Sequence, residues 1–138
     1  MQSAFLYPLG VIAAFGLAAC VATQTADPVP TGAQDFADYC AGCHGAKGLG
    51  DGPDGEGLAT KPANLTQLTA KNGGHFPATG TMAQIWGYTG GKGNRVMPEF
   101  APLLDGEMVP YDGGDGILTP TPIRLVQLSE YVKSLQAD

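Results

Sequence analysis

The chain has 138 residues, 21 of them Gly and 11 Pro, which allows one loop-rich domain with short helices and excludes a second domain. A net charge of −6 excludes charge-driven binding to nucleic acid or anionic lipid and favours partners with basic surfaces. Three cysteines cannot all pair, so no disulfide framework is expected.

The first 19 residues carry no charged side chain, and the uncharged run continues to Ala22. Such a run is a secretory signal or a membrane span. Pro8, Gly10 and Gly16 weaken a long helix through it. It ends in Leu17-Ala18-Ala19-Cys20, which is similar to the lipobox of bacterial lipoproteins, where cleavage precedes a cysteine that becomes lipidated. No Lys or Arg stands ahead of the apolar run, so an uncleaved anchor is the alternative. Both readings tether the chain to a membrane outside the cytoplasm. The expected division is a lipoprotein-type signal peptide over 1–19, a lipidated Cys20 with a flexible linker over 20–31, and the folded domain over 32–138. The linker from Val21 to Thr31, polar and carrying Pro28 and Pro30, reaches about 36 Å fully extended.

Thr31 with Gln34 three residues on predicts a capping box at the start of a helix. Phe36, Cys40 and Cys43 then fall on one helical face, and Asp35 and Asp38 suit the dipole near its start. Cys40-Ala41-Gly42-Cys43-His44 reads as a covalent haem attachment site. Two thiols three positions apart reach the vinyl groups on one side of a haem, and the next residue offers its imidazole to the iron. A dithiol redox pair needs a βαβ setting that the sequence lacks. Structural zinc needs four ligands, and only Cys20 and His75 remain as further Cys or His donors. The glycine-rich stretch from Gly42 to Gly57 predicts a loop around the edge of such a group.

Lys61-Pro62-Ala63-Asn64-Leu65-Thr66 opens a second ordered segment. Thr79 or Thr81 is expected to cap a short helix through Gln84, Ile85 and Trp86 that ends near Gly87 or Gly90. A turn-rich loop over 90–94 leads into Arg95-Val96-Met97-Pro98-Glu99-Phe100. An acidic, glycine-rich stretch between Leu104 and Leu118 reads as a surface excursion. Thr121 and Pro122 are expected as N-cap and first residue of the last helix. Its buried stripe is Leu125, Leu128, Val132 and Leu135, with Tyr131 beside it.

Taken together, the layout over residues 31–136 resembles a class I cytochrome c. The resemblance rests on Gly32-x-x-x-Phe36-x-x-x-Cys40-x-x-Cys43-His44-Gly45, on Lys61 to Thr66, on Met97-Pro98-x-Phe100 and on Leu128-x-x-Tyr131-Val132-x-x-Leu135. It implies an all-α fold of three to five short helices with long Gly/Pro-rich loops around one covalent haem c. It further implies His44 as proximal ligand and Met97 as distal ligand, with His75 the rival. Pro62 or Pro53 would supply a carbonyl to the His44 ring, and the resemblance favours Pro62. Arg95, Trp86, Tyr88 and Asn64 are candidate partners of the haem propionates, and Lys61 reads as a solvated charge. The implied function is a membrane-tethered carrier of single electrons on the periplasmic side of a bacterial membrane, working between a donor and an acceptor protein with basic docking surfaces and not itself an enzyme. The alternative is a haem-bearing subunit of an oxidoreductase complex, which an exposed apolar patch on the 105–118 excursion would favour.

Overall fold

A computed structural model describes residues 29–89 and 96–137. The signal and linker readings for residues 1–28, with Cys20, and the loop over 90–95, with Arg95, lie outside the described residues. In chain order the elements are α1 (Gly32–Tyr39), α2 (Ala41–His44), α3 (Leu68–Lys71), α4 (Ala78–Trp86), α5 (Ala101–Leu104), β1 (Met108–Asp112), β2 (Leu118–Pro122) and α6 (Ile123–Ser134). Single 3-10 turns at Pro53–Gly55 and Leu65–Gln67 punctuate the long loops.

The start of α1 follows its sequence. The Gln34 N–H donates to Thr31 Oγ1 at 3.2 Å, and the Thr31 N–H donates to Gln34 Oε1 at 2.7 Å. Gly32, Asp35 and Phe36, at helical spacing, form the buried face. This face crosses α6. A Cβ at position 32 would lie 2.0 Å from the Gln127 carbonyl oxygen, so the two backbones approach this closely only because residue 32 is Gly. One turn on, the Phe36 ring packs against Tyr131 at a centroid distance of 5.2 Å and a tilt of 53°.

Asp35 does more than complement a helix dipole. It is fully buried and is held by Arg124 of α6, whose Nε donates to Oδ2 at 3.1 Å and whose Nη2 donates to Oδ1. The same guanidinium donates through Nη1 to the Leu103 carbonyl, so one side chain ties α1, α5 and α6 together. Around this joint lies the apolar core of Phe36, Met82, Ile85, Leu104, Leu125, Leu128 and Val132. The predicted α6 stripe holds at Leu125, Leu128 and Val132, while Leu135 is half-buried against it.

The all-α expectation is wrong, because the 105–118 excursion is half of an antiparallel hairpin. β1 pairs β2 with Met108 opposite Pro122, Pro110 opposite Pro120 and Asp112 opposite Leu118. Pro110 and Pro120 have no N–H, so their pair cannot exchange ladder bonds. Alternation then makes Val109–Thr121 and Tyr111–Thr119 the bonded pairs, and Pro110, Pro120 and Pro122 all occupy positions that need no inward donor. Thr121 accordingly lies in β2 rather than capping α6, and Pro122 is the cap. The β-branched Thr119 and Thr121 suit a strand as well as a helix start, which is why the local signal misled. The helix count is also exceeded, with six α-helices among the described residues.

α4 begins after Pro77, earlier than a Thr79 or Thr81 cap would place it, and ends where Gly87 takes a left-handed φ of 115°. α1 stops at Cys40, which joins it to the single turn of α2. The chain thus bends at the first cysteine of the attachment motif instead of running one helix through it.

Candidate functional site

A cavity of about 790 Å³ opens between α1, α2, the loop from Leu58 to Ala63, α4 and the segment from Val96 to Phe100. It falls in the size range of a cofactor pocket. Cys40, Cys43, His44, Pro62 and Met97 all line it, so residues spread over 58 positions of sequence meet at one place. The walls are largely apolar: Phe36, Leu65, Leu68, Ile85, Leu128 and Val132 supply most of the back.

His44 closes α2, and its ring is fixed from the next loop. Nδ1 lies 2.9 Å from the carbonyl oxygen of Ala63. A carbonyl only accepts, so Nδ1 carries the proton and Nε2 keeps its lone pair. That is the tautomer and orientation a metal-binding imidazole needs. The carbonyl belongs to Ala63, not to Pro62 or Pro53, although Pro62 lines the same wall. The two loops are clamped together: the Gly50 N–H donates to the His44 carbonyl at 2.7 Å and the Leu65 N–H to the Gly48 carbonyl at 2.7 Å. Gly50 has φ 79°, and a Cβ there would meet the Pro62 carbonyl oxygen at 2.5 Å. Only Gly lets the loop carrying Ala63 come this close under His44.

Cys40 is buried and Cys43 half-buried. Burial pushes the Cys40 thiol up to about 12, with Asp35 and Cys43 adding to the shift. Held protonated, it is a poor thiolate for disulfide exchange or zinc. A thioether carries no charge and meets no such penalty, so the site fits covalent haem better than either rival. Among the described residues no three Cys, His, Asp or Glu side chains gather as a metal-binding set.

Met97 is the one methionine in the cavity wall among the described residues: Met82 is buried in the core and Met108 is exposed on the hairpin. Gln84 Nε2 donates to Met97 Sδ at 3.8 Å, and Thr89 Oγ1 donates to Gln84 Oε1. His75, the rival ligand, is exposed and does not line the cavity. Nor do Asn64, Trp86 and Tyr88. Asn64 caps a 3-10 turn by accepting from the Thr66 N–H at 3.0 Å, and Tyr88 is 81 % exposed. Lys61 is exposed, in keeping with a solvated charge, and it also borders the cavity with Thr60, Thr81, Gln84 and Thr89. Sequence reasoning missed this polar group, whose only signal was its place beside the Pro62 turn and on α4.

No helix among the described residues is long and apolar enough to cross a membrane. No curated protein and no solved structure matches the chain. A family model described as cytochrome C oxidase, cbb3-type, subunit III matches residues 27–109, which is more than half of the chain and includes Cys40, Cys43, His44 and Met97. With an apolar cavity that gathers the attachment motif and orients its histidine, the chain belongs to this cytochrome family and carries a c-type cytochrome domain, whose work is haem-based electron transfer.

Proposed function

We propose that the domain holds one haem c through thioethers to Cys40 and Cys43, with His44 and Met97 on the two faces of the iron. The observation that carries this reading is the meeting of all four side chains in one apolar cavity with the His44 Nδ1 proton already committed to Ala63. Bound haem supplies the one-electron chemistry. The chain's part is to exclude water with Phe36, Ile85 and Leu128, to hold the imidazole in one orientation, and to offer a thioether sulfur on the opposite side. With His44 and Met97 both bound, the iron would have no free position for a substrate, and the thioether sulfur would raise its potential relative to nitrogen donation. Lys61 in the wall supports a role beside the haem carboxylates.

The chain takes one electron from one protein and gives it to another through the cavity mouth, where Tyr39 and Leu58 are exposed at its rim. A tether at Cys20, or an uncleaved N-terminal segment, would keep the domain at the periplasmic face of a membrane. The second reading, a fixed subunit of an oxidoreductase complex, gains from the exposure of Met108, Ile117 and Leu118 on the hairpin.

Mass spectrometry of the mature protein under denaturing conditions tests the proposal. A mass that includes one haem, and that loses it in Cys40→Ala/Cys43→Ala, supports covalent attachment. A haem-free mass overturns it. The same spectrum reports whether the N-terminus is a lipidated Cys20.

A further inference from the structure

The hairpin takes no part in the cavity: no residue between Ala101 and Ile123 lines it. Its inner face is accounted for. Val109 is half-buried and Thr121 buried, Tyr111 packs against the core, and its hydroxyl donates to Glu130 of α6 at 2.6 Å. Its outer face is not. Side chains alternate along a strand, so Met108, Pro110 and Asp112 share a face with their partners Pro122, Pro120 and Leu118; Pro122 is buried at the α6 end, and the exposed part of the face runs from Met108 and Pro110 across Pro120 to Leu118. Met108 is 52 % exposed and Leu118 67 %, with exposed Pro110 and Pro120 between them, and Ile117 beside Leu118 is 63 % exposed. An apolar strip this open on a small domain marks an interaction surface.

Three features define what fits it. The first is backbone chemistry. Residues in non-bonded pairs point their N–H and C=O groups outward, towards the free edges of the ribbon. Of the six such residues, Pro110, Pro120 and Pro122 have no N–H. Half of the outward donors are therefore missing, two of the three on β2 among them, which disfavours strand addition at that edge and favours a partner that lies on the face. The second is charge. From Val96 to Ile123 there is no Lys or Arg, while Asp105, Glu107, Asp112 and Asp115 all fall in or beside the hairpin. Among the described residues none of these four pairs with a cation. Two copies meeting face to face would bring these acids together, and an anionic lipid surface would repel them. The third is position. The strip leaves the cavity mouth free, so a protein docked on it does not cover the route for electrons.

We infer that the outer face of the hairpin is a docking surface for a second, different protein subunit, which presents an apolar patch rimmed by Lys and Arg. The inference deepens the electron-transfer reading and rests on it only for the nature of the assembly. The hairpin anchors the domain in a complex, and the cavity mouth stays open to a separate redox partner. The family match ends within β1, so β2 and the loop before it are features that the match does not describe.

The test uses the full chain expressed in its host, with a photo-reactive residue at position 118 and, as control, at the exposed Glu56. After solubilisation, the cross-linked species is identified by peptide mass and native gels are stained for haem. The expected result is a cross-link from position 118, absent from position 56, to a different protein whose linked peptide carries Lys or Arg beside apolar residues. Met108→Asp/Leu118→Asp should lower the haem-stained complex about tenfold, and Glu107→Lys should weaken it several-fold at low salt and less at high salt. Absorbance of each variant reports whether haem is still held, so loss of haem with the complex intact counts against the cofactor reading alone. A cross-link to a second copy of this chain, a linked peptide without basic residues, no cross-link, or a complex unchanged in the double aspartate variant overturns the inference.

Discussion

His44 and Met97 line the same cavity, and each has one polar neighbour. For His44 that neighbour is a backbone carbonyl, which no side-chain substitution removes. For Met97 it is the Gln84 amide, itself turned by Thr89. With Met97 as the proposed iron ligand, a donor on its sulfur would draw density from the lone pair and favour the reduced state. Gln84→Leu is therefore expected to lower the reduction potential while keeping the long-wavelength absorption band of Met–iron coordination. Met97→Ala should abolish that band and lower the potential further. Redox titration with spectral readout checks both; a band that survives in Met97→Ala would assign the ligand elsewhere. The attachment motif was legible at this scale because its chemistry is confined to five consecutive residues. The polar wall of Lys61, Thr81 and Gln84 was not, because its members meet only after α4 and the Pro62 loop have packed.

Among the elements, α6 carries the most tertiary work, meeting α1, α4 and both strands. Its apolar stripe could be read from spacing, but its ion pair could not. Asp35 stands at i+3 from Gly32 and beside Phe36, on the face that was already assigned to the core, and a carboxylate on a core face demands a cation. That spacing was the available signal. Asp35→Asn leaves the Arg124 guanidinium facing an uncharged amide at a joint where Asp35 is fully buried. A loss of about 3 kcal/mol in urea unfolding is expected, since breaking one side of a buried pair costs far more than the pair contributes. A loss under about 1 kcal/mol would place the pair among exposed ones. The hairpin adds a pH-dependent term. Burial, and then the bond to Glu130, push the Tyr111 phenol from an ordinary value of 10 up to about 12. Raising the pKa of an acid on folding stabilises the fold while the group is neutral. That contribution is complete below pH 10 and is lost as pH rises towards 12. Stability should fall across this window more steeply in the wild type than in Tyr111→Phe; parallel curves would remove Tyr111 from the account.

At the scale of the whole molecule, the helical frame followed from capping and periodicity, whereas the β-hairpin needed pairing between segments that local patterns do not report. The same distinction applies to the core. Phe36, Ile85, Leu128 and Val132 belong to the apolar core and also line the cavity, so one set of side chains has two jobs. In a domain with this much loop, a haem bound in the cavity would give these side chains an apolar surface to pack against. Gly32, Asp35, Arg124 and Gln127, which make the α1–α6 crossing and its ion pair, do not line the cavity. Removing the haem should therefore loosen the domain without erasing its helices. Cys40→Ala/Cys43→Ala, which cannot retain the group covalently, is expected to keep most of its far-ultraviolet circular dichroism. It should lose near-ultraviolet structure, bind a hydrophobic dye and unfold with a lower denaturant dependence than the loaded protein. Equal slopes and midpoints for the two forms would mean that the cavity is a preformed shell, stable when empty, and that the haem contributes chemistry but no folding energy.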